Sequence, residues 1–303
     1  MRFAIPLFIV LLLLSAIVLT SGPGQARLGP FRVFGAFSSG DTAGTAATPT
    51  IQVPDTSLAT QVPAPAPAPA FAAAPIGQRP YIPILMYHYV RAVDQAADPL
   101  GYGLSVTPNQ FAAQVEWLRR SGYDTIQMSA LAACIHGEGA CPARAVALTF
   151  DDGYIDAYTA ALPVLQEYGA TATFYIVSGF VGQDAYMGWD EIRALRSAGM
   201  EIGAHSISHI DLTTLNHDEN VDQIARSGAE IAAQIGAPVR SFCYPAGRFN
   251  AEIAAITRDV GYTNATTTVQ EGSQDDLFAL PRARIYGDMS QEGFQATVAA
   301  YLP

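Results

Sequence analysis

The stretch Ala145–Phe150 constrains the fold of this chain more than any other. It is apolar except for Thr149. A continuous apolar run of this length is typical of a strand buried on both faces, as in parallel sheets covered by helices. Two carboxylates, Asp151 and Asp152, follow it directly. The run therefore predicts an α/β fold in which a central strand ends at a pair of acidic side chains.

Strand-like and helix-like segments alternate along the rest of residues 81–303. Thr107-Pro108 has the pattern of a helix start, a capping residue followed by proline in the first turn. Further strands are predicted at 82–87, 171–177, 201–204, 241–244, 262–268 and 280–286, and helices at 107–122, 157–168, 189–198, 218–235, 251–260 and 291–301. About seven strands alternating with helices predict an irregular or incomplete (β/α) barrel of parallel strands, with an open doubly wound sheet as the alternative. No Gly-x-Gly-x-x-Gly follows a strand, which argues against dinucleotide binding.

The N-terminal region differs from the rest in composition. Residues 4–19 are almost entirely apolar and follow a single arginine, which predicts that 1–26 is a signal peptide or a retained membrane anchor rather than a core helix. Residues 27–78 are rich in Ala, Pro, Thr, Ser and Gly, including a Pro-Ala repeat at 63–69, and predict a disordered linker. The catalytic domain is then expected at 79–303. We expect an exported protein, secreted or held at the cell surface, with a membrane contact through the N-terminal segment if it is not cleaved.

Charge and residue usage exclude several functions. The net charge is −11, so a general attraction to nucleic-acid phosphates is not expected. All 16 basic residues are arginines, which excludes a lysine Schiff base, a P-loop lysine and a Ser-Lys dyad. The chain has 3 cysteines, too few for a disulfide scaffold. Cys134 and Cys141 can pair across a short glycine-containing loop in an oxidising compartment, or remain thiols. His136 lies between them and is expected to be a solvent-exposed loop residue.

Polar residues collect where the predicted strands end. His88 follows the predicted strand at 82–87, and Asp151 and Asp152 follow the strand at 145–150. His205 and His209 follow the strand at 201–204. His217, in contrast, precedes a long helix and is expected at the surface. Active sites of parallel α/β folds lie at the carboxyl ends of the strands, so these side chains should meet.

A divalent metal explains this collection best. Two adjacent buried carboxylates repel each other unless a cation neutralises them. His205 and His209 are spaced i, i+4, which would place both imidazoles on one side of a helical turn. With one aspartate they form a three-ligand set with open positions, which is typical of a catalytic site, and Zn²⁺, Co²⁺, Ni²⁺, Mn²⁺ or Fe²⁺ would fit. Taken alone, Asp-Asp-Gly is usually a capped turn and His-x-x-x-His a partly buried pair; their joint position favours the metal.

The motifs in this order resemble those of the polysaccharide deacetylases of carbohydrate esterase family 4. The resemblance rests on Thr149-Phe150-Asp151-Asp152-Gly153, on His205-Ser206-Ile207-Ser208-His209 and, more loosely, on Phe242-Cys243-Tyr244-Pro245-Ala246-Gly247. Leu85-Met86-Tyr87-His88-Tyr89-Val90 looks like the variant that includes deacetylases of poly-N-acetylglucosamine exopolysaccharide. The resemblance covers about residues 81–286 and implies a (β/α) barrel.

The resemblance also implies roles for individual residues. Asp152, His205 and His209 would hold the metal, and Asp151 would be the general base that takes a proton from the attacking water. The segment Tyr244-Pro245-Ala246 would contact substrate, and the Ala246 N–H would help stabilise the oxyanion.

This sequence departs from the family pattern at two positions. The family's arginine that tethers the catalytic aspartate is missing from the third motif, so Arg282 or Arg284 is predicted to orient Asp151. The usual late Leu-x-x-His is also missing, so His88 is predicted to be the catalytic acid. Tyr186 and Trp189 lie near the rim and could stack on a sugar ring, although Trp189 could instead pack in the core. Tyr244 could likewise lie in the core or line the cleft.

Three functions remain as hypotheses. The leading one is a metal-dependent hydrolase that removes N-acetyl groups from an N-acetylglucosamine-containing polysaccharide. The second is an O-acetyl esterase acting on acetylated glycans, because the same site cleaves esters. The third is a carbohydrate-binding pseudoenzyme, which the complete set of Asp151, Asp152, His205 and His209 disfavours, since binding alone needs no base beside a metal triad.

Overall fold

A computed structural model describes residues 81–300 of the chain. The predicted signal or anchor at 1–26 and the predicted linker at 27–78 lie outside the described residues, as do both ends of the predicted domain. Among residues 81–300, no helix is both long and apolar enough to span a membrane.

The core of the domain is a curled sheet of parallel strands. Its strands are β1 Ile84–Tyr87, β4 Asp124–Thr125, β5 Ala145–Phe150, β6 Thr173–Ile176, β7 Glu201–Ala204, β8 Ser241–Cys243, β9 Asn264–Thr266 and β10 Ala283–Arg284, and β2 Tyr89–Val90 pairs separately with β3 Ser105–Val106. The spatial order is β10-β1-β5-β6-β7-β8-β9, with β4 beside the start of β5. Every strand pair is parallel. The predicted incomplete (β/α) barrel is confirmed, and the doubly wound alternative is wrong.

One chain segment spans the open side of the curl. The N–H of Ala265 in β9 donates to Leu277 O at 2.8 Å, and the N–H of Leu280 donates to Ala265 O at 3.0 Å. The chain then continues into β10, which pairs with β1. Arg282 lies between these two contacts, and this position directs its side chain into the barrel, where it is completely buried.

Helices cover the outside of the sheet. They are α1 Pro99–Leu104, α2 Pro108–Arg120, α3 Met128–His136, α4 Leu162–Glu167, α5 Trp189–Ser197, α6 His217–Val221, α7 Ser227–Ile235, α8 Ala251–Asp259 and α9 Gln291–Ala299. Helix α2 begins as predicted, because the Thr107 side chain accepts from the Gln110 N–H while the Gln110 side chain accepts from Thr107 N–H. The predicted helix at 218–235 is interrupted by a π-helical segment, Asp222–Arg226.

Strand β5 lies in the interior of the sheet, as its apolar sequence predicts. All its residues are buried, and its aromatic end packs between Tyr87 of β1 and Phe174 of β6, with ring centroids 5.2 and 4.8 Å from Phe150. Because both faces and both edges of β5 are covered, its carboxyl end is fixed within the sheet. The two acidic residues that follow are therefore held in place by the core.

Cys134 and Cys141 form a disulfide, with Cα atoms 5.1 Å apart. It joins the end of α3 to the loop that leads into β5. Between them, His136 is exposed as expected and lies near Glu138, but it is the last residue of α3 and not a loop residue. His217 is also exposed and hydrogen-bonds to Glu252.

Candidate active site

Asp151 and Asp152 leave the end of β5 in different directions. The N–H of Asp151 donates to Tyr87 O at 2.9 Å, which continues the sheet for one more residue. Asp152 then adopts a left-handed backbone, φ 72°, and Gly153 follows at φ 84°. This sharp turn separates the two carboxylates, so that each meets a different set of partners.

Asp152 faces the two histidines predicted as its co-ligands. Its Oδ1 lies 3.4 Å from His205 Nε2 and 3.4 Å from His209 Nε2. Asp152, His205 and His209 each offer one ligand atom, and these three atoms lie within 4.8 Å of one another. The structure therefore brings the predicted triad together.

The donor set fits a divalent cation. His205 Nδ1 donates to Cys243 O at 2.7 Å, which leaves Nε2 as the lone-pair nitrogen on the side of Asp152. Asp152 Oδ1 is buried and has no hydrogen-bond partner within the described part of the chain. A buried carboxylate oxygen facing two imidazole nitrogens without a hydrogen bond is expected where a metal supplies the missing interaction.

The backbone around these histidines differs from the prediction. His205–His209 form an irregular loop after β7, not a helical turn. Ser206 and His209 have left-handed backbones, φ 62° and 53°, and the Ser206 hydroxyl accepts from His209 N–H at 3.0 Å. The i, i+4 spacing brings the rings together through this folded loop, with centroids 4.8 Å apart.

Asp151 is clamped by Arg282. Nη1 donates to Oδ1 and Nη2 to Oδ2, both at 2.7 Å, and the two side chains are 3% and 0% exposed. Burial alone would raise the pKa of Asp151, but the Arg282 guanidinium outweighs it and holds that pKa well below its usual range. Asp151 is thus a fixed carboxylate next to the triad.

Of the two arginines predicted to orient Asp151, the structure selects Arg282. Within residues 81–300, Arg284 forms no ion pair or hydrogen bond with Asp151. The prediction that Arg284 orients Asp151 is therefore wrong. The physical reason is position: Arg282 precedes β10 and enters the barrel, while Arg284 lies half-buried within β10 beside Met86.

A second cluster, Asp151, His205 and Cys243, also has ligand-type atoms within 4.8 Å. Both oxygens of Asp151 already accept from Arg282 in that cluster. A cation there would face the guanidinium charge, so the triad of Asp152 is the better candidate for a metal site.

Known proteins match this arrangement. The family model described as polysaccharide deacetylase matches residues 138–265, which contain Asp151, Asp152, His205 and His209. The part of the chain that holds the site is thus similar to polysaccharide deacetylases. YxkH of Bacillus subtilis strain 168 is 28% identical over 219 residues, 72% of this chain and 76% of that protein.

Two further relatives extend the comparison. The poly-beta-1,6-N-acetyl-D-glucosamine N-deacetylase of Escherichia coli K12 is 30% identical over 129 residues, 37% of this chain but 19% of that protein. The structure of the Streptococcus pyogenes deacetylase PplD in complex with acetate superimposes with a TM-score of 0.68 at 27% identity, covering 72% of this chain and 97% of that one. The fold of the described residues is therefore that of solved deacetylases.

His88 reaches the candidate site from the end of β1. Its Nε2 lies 3.9 Å from Asp151 Oδ2, and its side chain is 12% exposed. Its Nδ1 is buried without a hydrogen-bond partner among the described residues. Burial lowers the pKa of His88, and the nearby Asp151 and Asp152 charges offset this only in part. The imidazole is therefore neutral at rest near pH 7.

The segment Tyr244-Pro245-Ala246 requires one correction. The Tyr244 side chain is in the core, where its hydroxyl donates to Phe278 O at 3.1 Å and its ring stacks on Phe249. Of the two positions expected for Tyr244 it thus occupies the core, and the predicted substrate contact of its side chain is wrong. Pro245 is buried, and the backbone turns at Ala246, φ 53°. The Ala246 N–H has no acceptor among residues 81–300.

Sequence reasoning missed an aromatic stack beside the triad. Tyr89 stacks on Tyr154 with centroids 3.7 Å apart, and Tyr154 on Tyr186 at 5.0 Å. Arg91 caps Tyr89, its guanidinium carbon 3.7 Å from the ring centroid. The available signal was position, since Tyr89 follows His88 directly and Tyr154 follows the Asp-Asp-Gly turn. Trp189 is half-buried at the start of α5 and packs against the core, which favours a packing role over stacking on a sugar ring.

Proposed function

We propose that this chain is an exported, metal-dependent hydrolase that removes N-acetyl groups from an N-acetylglucosamine-containing polysaccharide. The observation that carries the proposal is the triad of Asp152, His205 and His209 beside an arginine-clamped Asp151. A pseudoenzyme that only binds glycan needs neither the clamped base nor the unpartnered Asp152 oxygen. The relative named as a poly-beta-1,6-N-acetyl-D-glucosamine N-deacetylase supports an N-acetylated glucosamine polymer as substrate.

Asp152, His205 and His209 would hold the metal, for which Zn²⁺ suits the one-carboxylate, two-imidazole set. When bound, the metal supplies Lewis-acid polarisation of the acetyl carbonyl and activation of water. The chain supplies the rest. Asp151 takes a proton from the attacking water as the new C–O bond forms. The free N–H of Ala246 donates to the carbonyl oxygen as negative charge develops there.

His88 then serves the leaving group. Its neutral imidazole faces Asp151 Oδ2 at 3.9 Å, so it can receive the proton that Asp151 has taken from water. It donates this proton to the sugar nitrogen as the C–N bond breaks, which releases acetate and a free amine. A lowered His88 pKa fits this role, because the residue starts neutral and gives up its proton readily.

Two features support export. The apolar N-terminal segment 4–19 follows the pattern of a signal or anchor. The disulfide Cys134–Cys141 belongs to an oxidising compartment. Cell fractionation with the intact mass of the mature chain tests both localisation and cleavage; full-length protein in the cytoplasm would contradict export.

The activity is tested by acetate release from N-acetylglucosamine oligomers. The purified chain is stripped of metal, assayed, and assayed again with added Zn²⁺ or Co²⁺. We expect release only with metal, loss in Asp151→Asn, and no change in Asp190→Asn, an exposed aspartate paired with Arg193. Release from O-acetylated xylan and none from the N-acetyl oligomers would instead establish an O-acetyl esterase. Glycan binding without release from either substrate in metal-replete protein would establish a pseudoenzyme.

A further inference from the structure

Cys243 occupies a position behind the reacting groups that the proposed reaction does not use. It is the last residue of β8, completely buried, and the free cysteine of the described residues. Neighbouring strands β7 and β9 hold it on either side. Its thiol is inaccessible to substrate, so any contribution must pass through its contacts.

The thiol touches both members of the charged pair. Arg282 Nη2 donates to Sγ at 3.2 Å, and Sγ lies 3.7 Å from Asp151 Oδ2. The same Nη2 donates to that same Oδ2 at 2.7 Å. Nη2, Oδ2 and Sγ therefore form a closed triangle, in which sulfur is the third partner that fixes the orientation of the guanidinium plane.

The backbone of Cys243 contacts the other half of the site. Its carbonyl accepts from His205 Nδ1 at 2.7 Å and sets the direction in which Nε2 points. One residue thus contacts the base clamp through its side chain and a triad histidine through its main chain. Within a rigid strand, these two contacts keep a constant spacing.

We propose that Cys243 is a positioning residue that holds Arg282, and through it Asp151, in register with His205. The polar character of the thiol matters, because it accepts from Arg282 at the point where the guanidinium meets Asp151. Its effect on turnover rests on the deacetylase activity proposed above; its effect on the Arg282 guanidinium does not.

Two substitutions separate positioning from packing. Cys243→Ser keeps a hydrogen-bond donor and acceptor, while Cys243→Ala removes both. Both new side chains are smaller than that of cysteine. If the thiol only fills space, the serine variant should be no better than alanine, because a hydroxyl in a closed core adds a desolvation cost. If it positions Arg282, serine should restore what alanine loses.

The experiment uses the full chain, with Ile202→Val in β7 as a packing control away from the pair. On N-acetylglucosamine oligomers we expect Cys243→Ala to lower kcat about tenfold with KM within about twofold, the signature of a misplaced catalytic group. Cys243→Ser should stay within about threefold of the wild type, and the control should match the wild type in kcat. The absorption spectrum of bound Co²⁺ should be the same in all variants, because the main chain still orients His205.

A second readout is independent of turnover. In nitrogen NMR spectra, hindered rotation of the clamped guanidinium should give separate Arg282 Nη signals in the wild type and Cys243→Ser, which merge in Cys243→Ala. Unchanged Arg282 signals and unchanged kcat in Cys243→Ala would overturn the proposal, as would equal losses in both variants. Merged signals in the alanine variant of a protein that releases no acetate would support the positioning role and refute the proposed function.

Discussion

Removing Arg282 tests the central electrostatic argument about this domain. The substitution Arg282→Met keeps most of the apolar stem and deletes the guanidinium. It leaves Asp151, 3% exposed, without the two 2.7 Å hydrogen bonds that hold it. It also strips Thr267 O of its 2.9 Å donor.

These losses set the expected magnitude. Breaking a buried ion pair from one side costs about 3–5 kcal/mol, because the remaining charge is uncompensated, and an unsatisfied buried carbonyl adds about 1 kcal/mol or more. We therefore expect the free energy of unfolding to fall by about 4–6 kcal/mol, a large share of the roughly 5–15 kcal/mol typical of a domain.

The assay is urea unfolding at pH 7, monitored by tryptophan fluorescence and by far-ultraviolet circular dichroism. Asp151→Asn and the double variant Asp151→Asn/Arg282→Met complete a thermodynamic cycle. The double variant buries no charge at this position, so it should be more stable than the sum of the single losses predicts, by about 2 kcal/mol or more. Its folding also keeps the test informative if Arg282→Met alone does not fold.

The pH dependence gives an independent check. Arg282 lowers the folded-state pKa of Asp151, so the pair stabilises the protein fully above the unfolded-state pKa of about 3.9, and this contribution is lost as pH falls towards the folded value. Without Arg282, burial raises the folded-state pKa of Asp151 in the variant, so the stability difference between wild type and Arg282→Met should already shrink as pH falls towards about 4 and should continue to shrink below it. A loss under about 1 kcal/mol at pH 7, or a difference independent of pH, would refute the account of Asp151 as a clamped buried carboxylate.

Three further outcomes are expected. Adding Zn²⁺ at about a hundred times its Kd should stabilise the metal-free protein by about 2.7 kcal/mol in thermal unfolding. His205→Gln should abolish this stabilisation, and the control His217→Gln, at an exposed histidine, should retain it. Equal stabilisation of both variants would place the metal elsewhere. His88→Ala should lower kcat by about a hundredfold or more with metal content unchanged, and near-normal turnover would exclude it as the acid. Replacing Cys134 and Cys141 by serine should lower the free energy of unfolding in urea by about 2.5 kcal/mol, the chain-entropy value for so short a loop, and no change would show that the disulfide does not constrain the unfolded chain.

The sequence was sufficient for features that depend on local pattern. Strands β5 and β7 have the bounds that their sequences predict, because each is short, buried and followed at once by polar residues. The grouping of His88, Asp151 and Asp152 with the two histidines followed from one rule, that parallel strands end on the same side. The short strands β2, β3 and β4 and the helices α1 and α3 were missed, since their sequences carry little periodicity of their own.

What the sequence left open depends on distances between remote segments. Arg282 and Arg284 are equivalent by sequence, and only the path of the chain from β9 to β10 decides which one reaches a carboxylate 131 positions away. By sequence Tyr244 could lie in the cleft or in the core, and only the structure shows that its ring turns into the core. The contacts of Cys243 with Arg282 and Asp151 were likewise beyond reach, because a buried cysteine in a strand has no distinctive pattern.

Backbone strain gives a separate indication of where function resides. Left-handed backbones at residues other than glycine are uncommon and cost about 1–3 kcal/mol each. Among residues 81–300 they occur at Asp152, Ala185, Ser206, His209 and Ala246, and all except Ala185 lie in the motifs that build the site. Glycine would relieve the strain at each position, but it could not supply the carboxylate of Asp152 or the imidazole of His209. Side chains retained at a conformational cost, converging from three strand ends on one rim, are what a catalytic centre requires and what a stability-driven turn would avoid.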